Sequence, residues 1–329
     1  SFVSRGLGDV YKRQIFCKKT LMKILGIGNA IVDVLCKVSD EFLVQNSLTK
    51  STMKLIDEVE FRKLLTSLKI EETISGGSVA NSIVGLSQLG NRVGFIGKVS
   101  DDELGQKYEN GLKKEKVEYL YKKKQEEMPT GSCLILITPD SERTMCTFLG
   151  TAGKINDNDI KEEDIKNAEM VFLEGYLWDK GDPKKAFDKA IAHSKKVAMS
   201  LSDLFCVERH KPDFLELVKN KLDIIFANEQ EILSLINAKT FEEAVSFSKE
   251  IKKNMIITRG EKGAVSIDED KVVEVNAQSN LKIKDLTGAG DLFAAGYLHG
   301  VINQLNIKEC LIKGTKLSSK IIQKIGARI

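Results

Sequence analysis

Between residues 223 and 258 the chain reads Asp223-Ile224-Ile225-Phe226-Ala227, then Asn228-Glu229-Gln230-Glu231-Ile232-Leu233-Ser234-Leu235-Ile236, and later returns to Met255-Ile256-Ile257-Thr258. The two outer runs are short, uninterrupted and apolar, as in strands buried on both faces of a parallel sheet. The stretch between them has helical spacing, with helices expected over Glu229–Ile236 and Phe241–Lys252. Working outward, the same kind of run recurs at Lys23–Gly28, Val93–Val99, Met170–Glu174, Val197–Leu201 and Ala264–Ile267. Helical segments fall between or after them, at Ser78–Leu89, Asp102–Lys116, Pro183–His193, Pro212–Lys219, Gly290–Asn303 and Ile307–Ile325. This alternation predicts an α/β fold built on a doubly wound, mostly parallel sheet.

Two regions interrupt the alternation. Val34–Ser39 and Ser132–Phe148 read as strands with no helix between them, and Pro139-Asp140-Ser141-Glu142 is a polar turn joining a hairpin. A small antiparallel β lid is expected from segments of about 34–55 and 117–150, inserted in one domain spanning 22–329. Residues 1–21 are set aside. Ser1–Gln14 has neither a helical period nor an apolar core of the signal-peptide kind, and reads as a translated cloning leader ahead of a start at Met22.

Composition narrows the function classes. The chain has 329 residues, 42% hydrophobic and 29% charged, so it has ample material for a core. No run of 18 uncharged apolar residues occurs, which excludes a spanning helix and leaves no membrane partner. The formal charge of +3 comes from the first 21 residues, where five basic residues face one acid; the remainder holds 45 basic and 46 acidic residues. Charge therefore gives no support to a nucleic-acid partner. Six scattered cysteines without a C-x-x-C pair read as reduced packing thiols of a cytoplasmic protein.

The chemistry concentrates in Asp285-Leu286-Thr287-Gly288-Ala289-Gly290-Asp291, ahead of the small apolar run Leu292–Leu298. Gly288, Ala289 and Gly290 leave bare N–H groups where a helix begins, a site for anionic oxygens. With a phosphoryl group over those amides and a hydroxyl against Asp291, the carboxylate stands as general base for phosphoryl transfer. A glycine turn in which Asp291 only caps the helix is the other reading. A second stretch, Gly76-Gly77-Ser78-Val79-Ala80-Asn81, opens a helix with glycine backbone beside an amide suited to a polyol hydroxyl. Taken alone, an ordinary helix cap with a C-terminal stop at Gly90 is the favoured reading. Asp33, Asn228, Glu231, Arg259 and Gly260 gather where parallel strands should end, the side on which open α/β sheets bind ligands. There, carboxylates usually reach polyphosphates through Mg²⁺ and its waters. No P-loop is present, and Gly26-Ile27-Gly28 lacks the third glycine of a dinucleotide fingerprint.

Taken together, Gly76–Gly105 and Asp285–Gly300 closely resemble the two signatures of the ribokinase-like (PfkB) carbohydrate kinase family. Gly28–Asp33 and Gly131–Gly150 look most like its bacterial adenosine-kinase-like members. The resemblance implies a ribokinase-like fold, with Asp291 as catalytic base and Gly288, Ala289 and Gly290 as anion hole. It implies that Asp33, Gly77 and Asn81 hold substrate hydroxyls, with Asn29 and Gly76 beside them in the substrate set. Asn228 and Glu231 match an N-x-x-E motif tied to Mg²⁺ and phosphate placement, Glu231 through water. Thr258, Arg259 and Gly260 match a segment lining the nucleotide site, and Arg143 matches an arginine that reaches toward the phosphates. Gly326-Ala327 stands close to the chain terminus, which leaves a monovalent-cation site open.

The expected activity is ATP-dependent phosphorylation of a primary hydroxyl. A purine nucleoside such as adenosine is the first choice of acceptor and a free sugar such as ribose or fructose the second. A non-catalytic ligand-binding homologue and a Rossmann-type dehydrogenase are the competing classes. Phe148, Tyr176, Trp178 and Phe205 are candidate purine clamps, with core packing as the alternative for each. A monomer and a homodimer paired through its lids are both compatible with the sequence.

Overall fold

The computed structural model describes residues 21–140, 142–179 and 181–329; the expected leader, apart from Leu21, lies outside the described residues. In chain order the strands are β1 (Met22–Ile27), β2 (Val32–Lys37), β3 (Met53–Leu55), β4 (Ile70–Ser75), β5 (Val93–Ile96), β6 (Glu118–Tyr119), β7 (Ser132–Ile137), β8 (Arg143–Phe148), β9 (Ala168–Glu174), β10 (Val197–Ser200), β11 (Ile224–Asn228), β12 (Asn254–Thr258), β13 (Ala264–Asp268) and β14 (Lys271–Val275). Nine of them form one sheet in the order β14-β13-β12-β11-β10-β9-β1-β5-β6. Every pair from β12 through β6 is parallel, and β13 and β14 close one edge antiparallel. Ile24, Leu25, Phe95, Phe172, Leu173, Ile224, Ile225, Ile256 and Ile257 are each at most 1% exposed, so both faces of the sheet are covered. The uninterrupted apolar runs in the sequence have this cause.

One apolar core lies between the sheet and the helices Ser78–Gln88, Ala289–Ile302 and Ile307–Ile321; another lies under Asp182–His193, Leu204–Asn220 and Glu229–Ile236. Gly85 lets the Ser78–Gln88 helix close on Leu292 and Ala295. That contact brings the start of one helix beside the start of the other, and it sets the site. No helix among the described residues is long and apolar enough to cross a membrane. Cys36, Cys133, Cys146, Cys206 and Cys310 are buried free thiols.

The smaller sheet has the order β3-β8-β7-β2-β4. Its β7–β8 hairpin is antiparallel, as expected, whereas β2 joins β7, and β3 joins β8, in parallel. The expected segments shift in two places. Ile70–Ser75 contributes a strand outside them, because Ile70, Glu71 and Glu72 face solvent at a sheet edge and hide the apolar alternation. Glu118–Tyr119 lies inside them yet pairs with β5 of the larger sheet.

Helix ends shift as well. The expected Pro212–Lys219 helix begins at Leu204 and bends at His210, just ahead of Pro212. The last helix stops at Ile321, short of Ile325, and Gly326, at φ +95°, turns the following residues back onto the glycine turn at 288.

Candidate active site

Two helix starts meet at Asp291. Gly77 adopts φ +101° ahead of the Ser78–Gln88 helix, and a β-carbon there collides with the Asn29 carbonyl. Gly288 adopts φ +77° ahead of the Ala289–Ile302 helix, and a β-carbon there lies 2.8 Å from Cα of Ala327. Side-chain-free turns at both positions let the helices begin close together. Asp291 Oδ1 then accepts from Ser78 Oγ at 2.6 Å, and Oδ2 accepts from Asn81 Nδ2 at 3.0 Å. Ser82 Oγ donates to the Asp291 carbonyl at 2.9 Å. Burial pushes the Asp291 carboxyl up to about 6, against the opposing pull of Ser78, Asn81 and Arg328.

A second group of polar residues comes from β2 and the turn before it. Asp33 rests its carboxylate against Gly76, whose N–H donates to the Ile31 carbonyl at 2.7 Å. Burial pushes Asp33 up to about 7; Arg328 and Arg143 pull it down and Asp291 adds to the rise. Asn29 is 3% exposed and Asn81 is 6% exposed. Asn29 is held by a residue that the sequence reading missed. Glu174, at the carboxyl end of β9, accepts from Asn29 N at 3.2 Å, Asn29 Nδ2 at 3.0 Å and Val79 N at 2.9 Å. Burial pushes Glu174 up to about 7 even against those donors. Its only sequence signal is an acid closing an otherwise apolar run.

Asp285 was also missed as a site residue. Its Oδ1 accepts from Thr287 N at 2.9 Å, and its Oδ2 accepts from Gly326 N at 2.7 Å and pairs with Arg143 Nη2 at 3.2 Å. Arg143 is thus engaged by the glycine turn itself. Arg328 is the third residue missed: its Nε donates to Asn81 Oδ1 at 3.0 Å. A lone arginine after Gly326-Ala327 carries no motif, so nothing in the sequence singles it out.

Beyond Gly290 lies a cavity of about 680 Å³, within the range of ligand pockets, lined by Thr258, Gly260, Ala289, Gly290 and Phe293 among others. A β-carbon on Gly290 meets nothing within 4 Å, so open space adjoins its α-carbon. Arg259 turns elsewhere: its guanidinium lies 3.6 Å from the Phe241 ring centre and its Nε donates to Glu229 Oε2 at 2.9 Å. Asn228 and Glu231 form a capping box on the Glu229–Ile236 helix, with Glu231 N donating to Asn228 Oδ1 at 2.8 Å and Asn228 N to Glu231 Oε2 at 3.0 Å. Glu231 is 5% exposed, and burial pushes it up to about 7. Among the described residues no group of three or more His, Cys, Asp or Glu could hold a metal ion. Lone acids of this kind suit an ion that arrives on phosphate oxygens and keeps its waters.

The candidate clamps divide. Phe148 packs on Phe61 with ring centres 5.4 Å apart, and Trp178 on Phe187 at 5.2 Å; both are core residues at 3% exposure. Phe205 is 72% exposed, and Tyr176 is half-buried.

Asp33, Glu174, Glu231 and Asp291 are each harder to ionise in the folded chain than in the unfolded one. The folded state therefore binds more protons between about pH 4 and 7, and its stability declines as pH rises through that window. The ligand-free protein is expected to melt lower at pH 8 than at pH 5.5. A melting temperature that climbs over this range contradicts the raised carboxyls.

Residues 52–329 match the family model described as pfkB family carbohydrate kinase. Adenosine kinase 2 of Arabidopsis thaliana is 24% identical over 92% of this chain and 94% of its own. The 5-dehydro-2-deoxygluconokinase of Clostridium botulinum is 25% identical over 80% of this chain and 83% of its own. Among solved structures, a probable sugar kinase from Rhizobium etli is 35% identical with a TM-score of 0.85, covering 94% of this chain and 95% of its own. Adenosine kinase from Sinorhizobium meliloti is also 35% identical with a TM-score of 0.85, over 94% of this chain and 96% of its own. With a ribokinase-like fold, paired glycine turns around Asp291 and a family match over most of its length, the chain belongs to the PfkB family of carbohydrate kinases and is a kinase with an alcohol acceptor, of the nucleoside or sugar type.

Proposed function

We propose that the protein transfers the γ-phosphoryl group of ATP to a primary hydroxyl of a purine nucleoside, with Asp291 as general base. The observation that carries this reading is the position of Asp291 between the open space beside Gly290 and the polar cradle of Asn29, Asp33 and Asn81. A carboxyl raised to about 6 is ionised at neutral pH and still basic enough to take a hydroxyl proton. Ser78 and Asn81 fix its two oxygens, so it accepts that proton without rearranging. The Gly288, Ala289 and Gly290 amides, at a helix start, meet the charge on the transferred group. A divalent ion bound with the phosphates supplies further positive charge there, and Glu231 fits a role in holding it through water, with Asn228 beside it. Thr258 and Gly260 line the donor side.

A specific feature favours a nucleoside over a free sugar. Register puts Asp33, Leu35, Ile135, Ile137 and Met145 on one face of the smaller sheet. Leu35, Ile137 and Met145 are only half-buried and pack around Ile135. Such an apolar wall beside a ribose-holding acid suits a base, whereas a free sugar leaves it unused. The sugar reading rests on the polar cradle alone.

ATP consumption measured with adenosine, ribose and fructose tests the proposal, with adenosine expected to give the highest kcat/KM. A sugar giving the highest value replaces the nucleoside reading. Within the same assay Asp33→Ala is expected to raise KM roughly ten- to hundredfold, the cost of losing charge-assisted hydrogen bonds. Arg143→Ala is expected chiefly to lower kcat, because it frees Asp285 and loosens the glycine turn. Wild-type kinetics in both variants require the site to be rebuilt around other residues.

A further inference from the structure

We propose that Arg328 is a positioning residue of phosphoryl transfer, which orients the Asn81 amide and supplies the positive field for the Asp33–Asp291 pair. This rests on the reading of Asp291 as base.

Orientation follows from the hydrogen bonds. Asn81 has one acceptor and one donor end. Arg328 Nε takes the acceptor at 3.0 Å, which leaves Nδ2 to face Asp291 Oδ2, also at 3.0 Å. An amide turned the other way sets oxygen against the carboxylate and NH₂ against the guanidinium. Arg328 therefore decides which end of Asn81 the base meets. The backbone around it is fixed from both sides. Gly326 N donates to Asp285, Ala327 packs on Gly288, and the Ile329 carbonyl accepts from Gln88 Nε2 at 3.2 Å.

The field follows from a count of charges. Asp291 is acted on by Arg328, and it acts in turn on the acids Asp33 and Glu174 and on Tyr176. Asp33 is acted on by Arg328, Arg143 and Asp291, and itself acts on Tyr108 and Cys133. Arg328 thus faces two site carboxyls, Asp33 and Asp291, with Glu115 and Tyr108 also in its field, whereas Arg143, which faces Asp33, already pairs with Asp285. Among the described residues Arg328 forms no ion pair, and its Nη2 is buried with no hydrogen-bond partner. A buried guanidinium kept only for stability is normally paired and saturated. One left with a free arm beside two site carboxylates is arranged to act on them through space.

The acid limb of kcat/KM against pH reports the ionisation of the free enzyme's base, which here lies near 6. Arg328→Met, which loses both charge and donor, is expected to move that limb up by about one unit or more, as removal of a nearby opposite charge does. It is also expected to lower kcat on the plateau. Arg328→Lys keeps the charge without the Nε donor, so its limb is expected to stay within a few tenths of wild type while its plateau kcat still falls. If Arg328→Met does not fold, Arg328→Gln, which keeps a donor and loses the charge, takes its place with the same expected limb shift. An unmoved limb in the neutral variant overturns the proposal, whether activity is kept or lost uniformly. A limb that moves equally in Arg328→Lys overturns it too. Asp291→Asn run alongside separates the two readings: retained turnover there removes the base itself, whereas an inactive Asp291→Asn with an unmoved Arg328→Met limb removes only the role of Arg328.

Discussion

Asp291→Asn is expected to lower kcat by at least the ~10²–10⁴-fold that a general base contributes, with ATP affinity and melting temperature close to wild type. The substitution keeps the shape of the side chain; its oxygen accepts from Asn81 Nδ2 and its NH₂ donates to the Ser78 hydroxyl, which can also accept, so the two helix starts stay together. What it removes, in the proposed mechanism, is the capacity to accept a proton from the attacking hydroxyl. The cavity beyond Gly290, the proposed donor site, is lined by Thr258, Gly260, Ala289, Gly290 and Phe293, none of which changes, so ATP binding reports whether the site survived. Steady-state kinetics with the preferred acceptor, paired with calorimetric titration of ATP, gives both readings on one preparation. More than about a tenth of wild-type turnover assigns the proton transfer to another group.

Glu174→Ala should be the most damaging single change to stability at the site. It strips the partner from Asn29 N, Asn29 Nδ2 and Val79 N at once, in a place where Glu174 is 1% exposed. Each buried donor left unmade costs about 1–3 kcal/mol, so a loss of about 3 kcal/mol or more is expected. For a chain of this size that corresponds to a fall in Tm of roughly 4 °C or more. KM for the acceptor should rise as well, because Asn29 is released from the cradle. Thermal unfolding with and without acceptor measures both effects. A melting temperature within about 2 °C of wild type means that the three donors find other partners.

Much of the larger sheet was legible because its strands are buried on both faces and therefore spell themselves as unbroken apolar runs, as at Ile224–Ala227 and Met255–Ile257. The smaller sheet was half legible. Its central strands β7 and β8 carry turn residues and branched side chains, whereas β4 at its edge presents Ile70, Glu71 and Glu72 to solvent and reads as loop. The glycine turns at 77 and 288 were visible because only glycine takes those dihedral angles beside so close a neighbour. Glu174, Asp285 and Arg328 were not visible. Each acts across more than 30 residues of sequence, on backbone N–H groups or a single amide, and no local spacing encodes such a partner.

The junction at Asp285 bears on any attempt to redesign acceptor preference. One carboxylate serves the glycine turn before Asp291, the strand that opens with Arg143 and the residues that turn at Gly326. With side-chain exposures of 11% and 8%, the Arg143–Asp285 pair is shielded from salt, and ionic strength gives little leverage over it. Substitutions at positions 143, 285 and 326 should therefore combine non-additively, and libraries that randomise one while holding the others will sample mostly broken sites. Grafting a new binding wall onto the smaller sheet has freedom at Leu35, Ile137 and Met145. It has almost none at the first residue of β8, where Arg143 ties the wall to the glycine turn through Asp285.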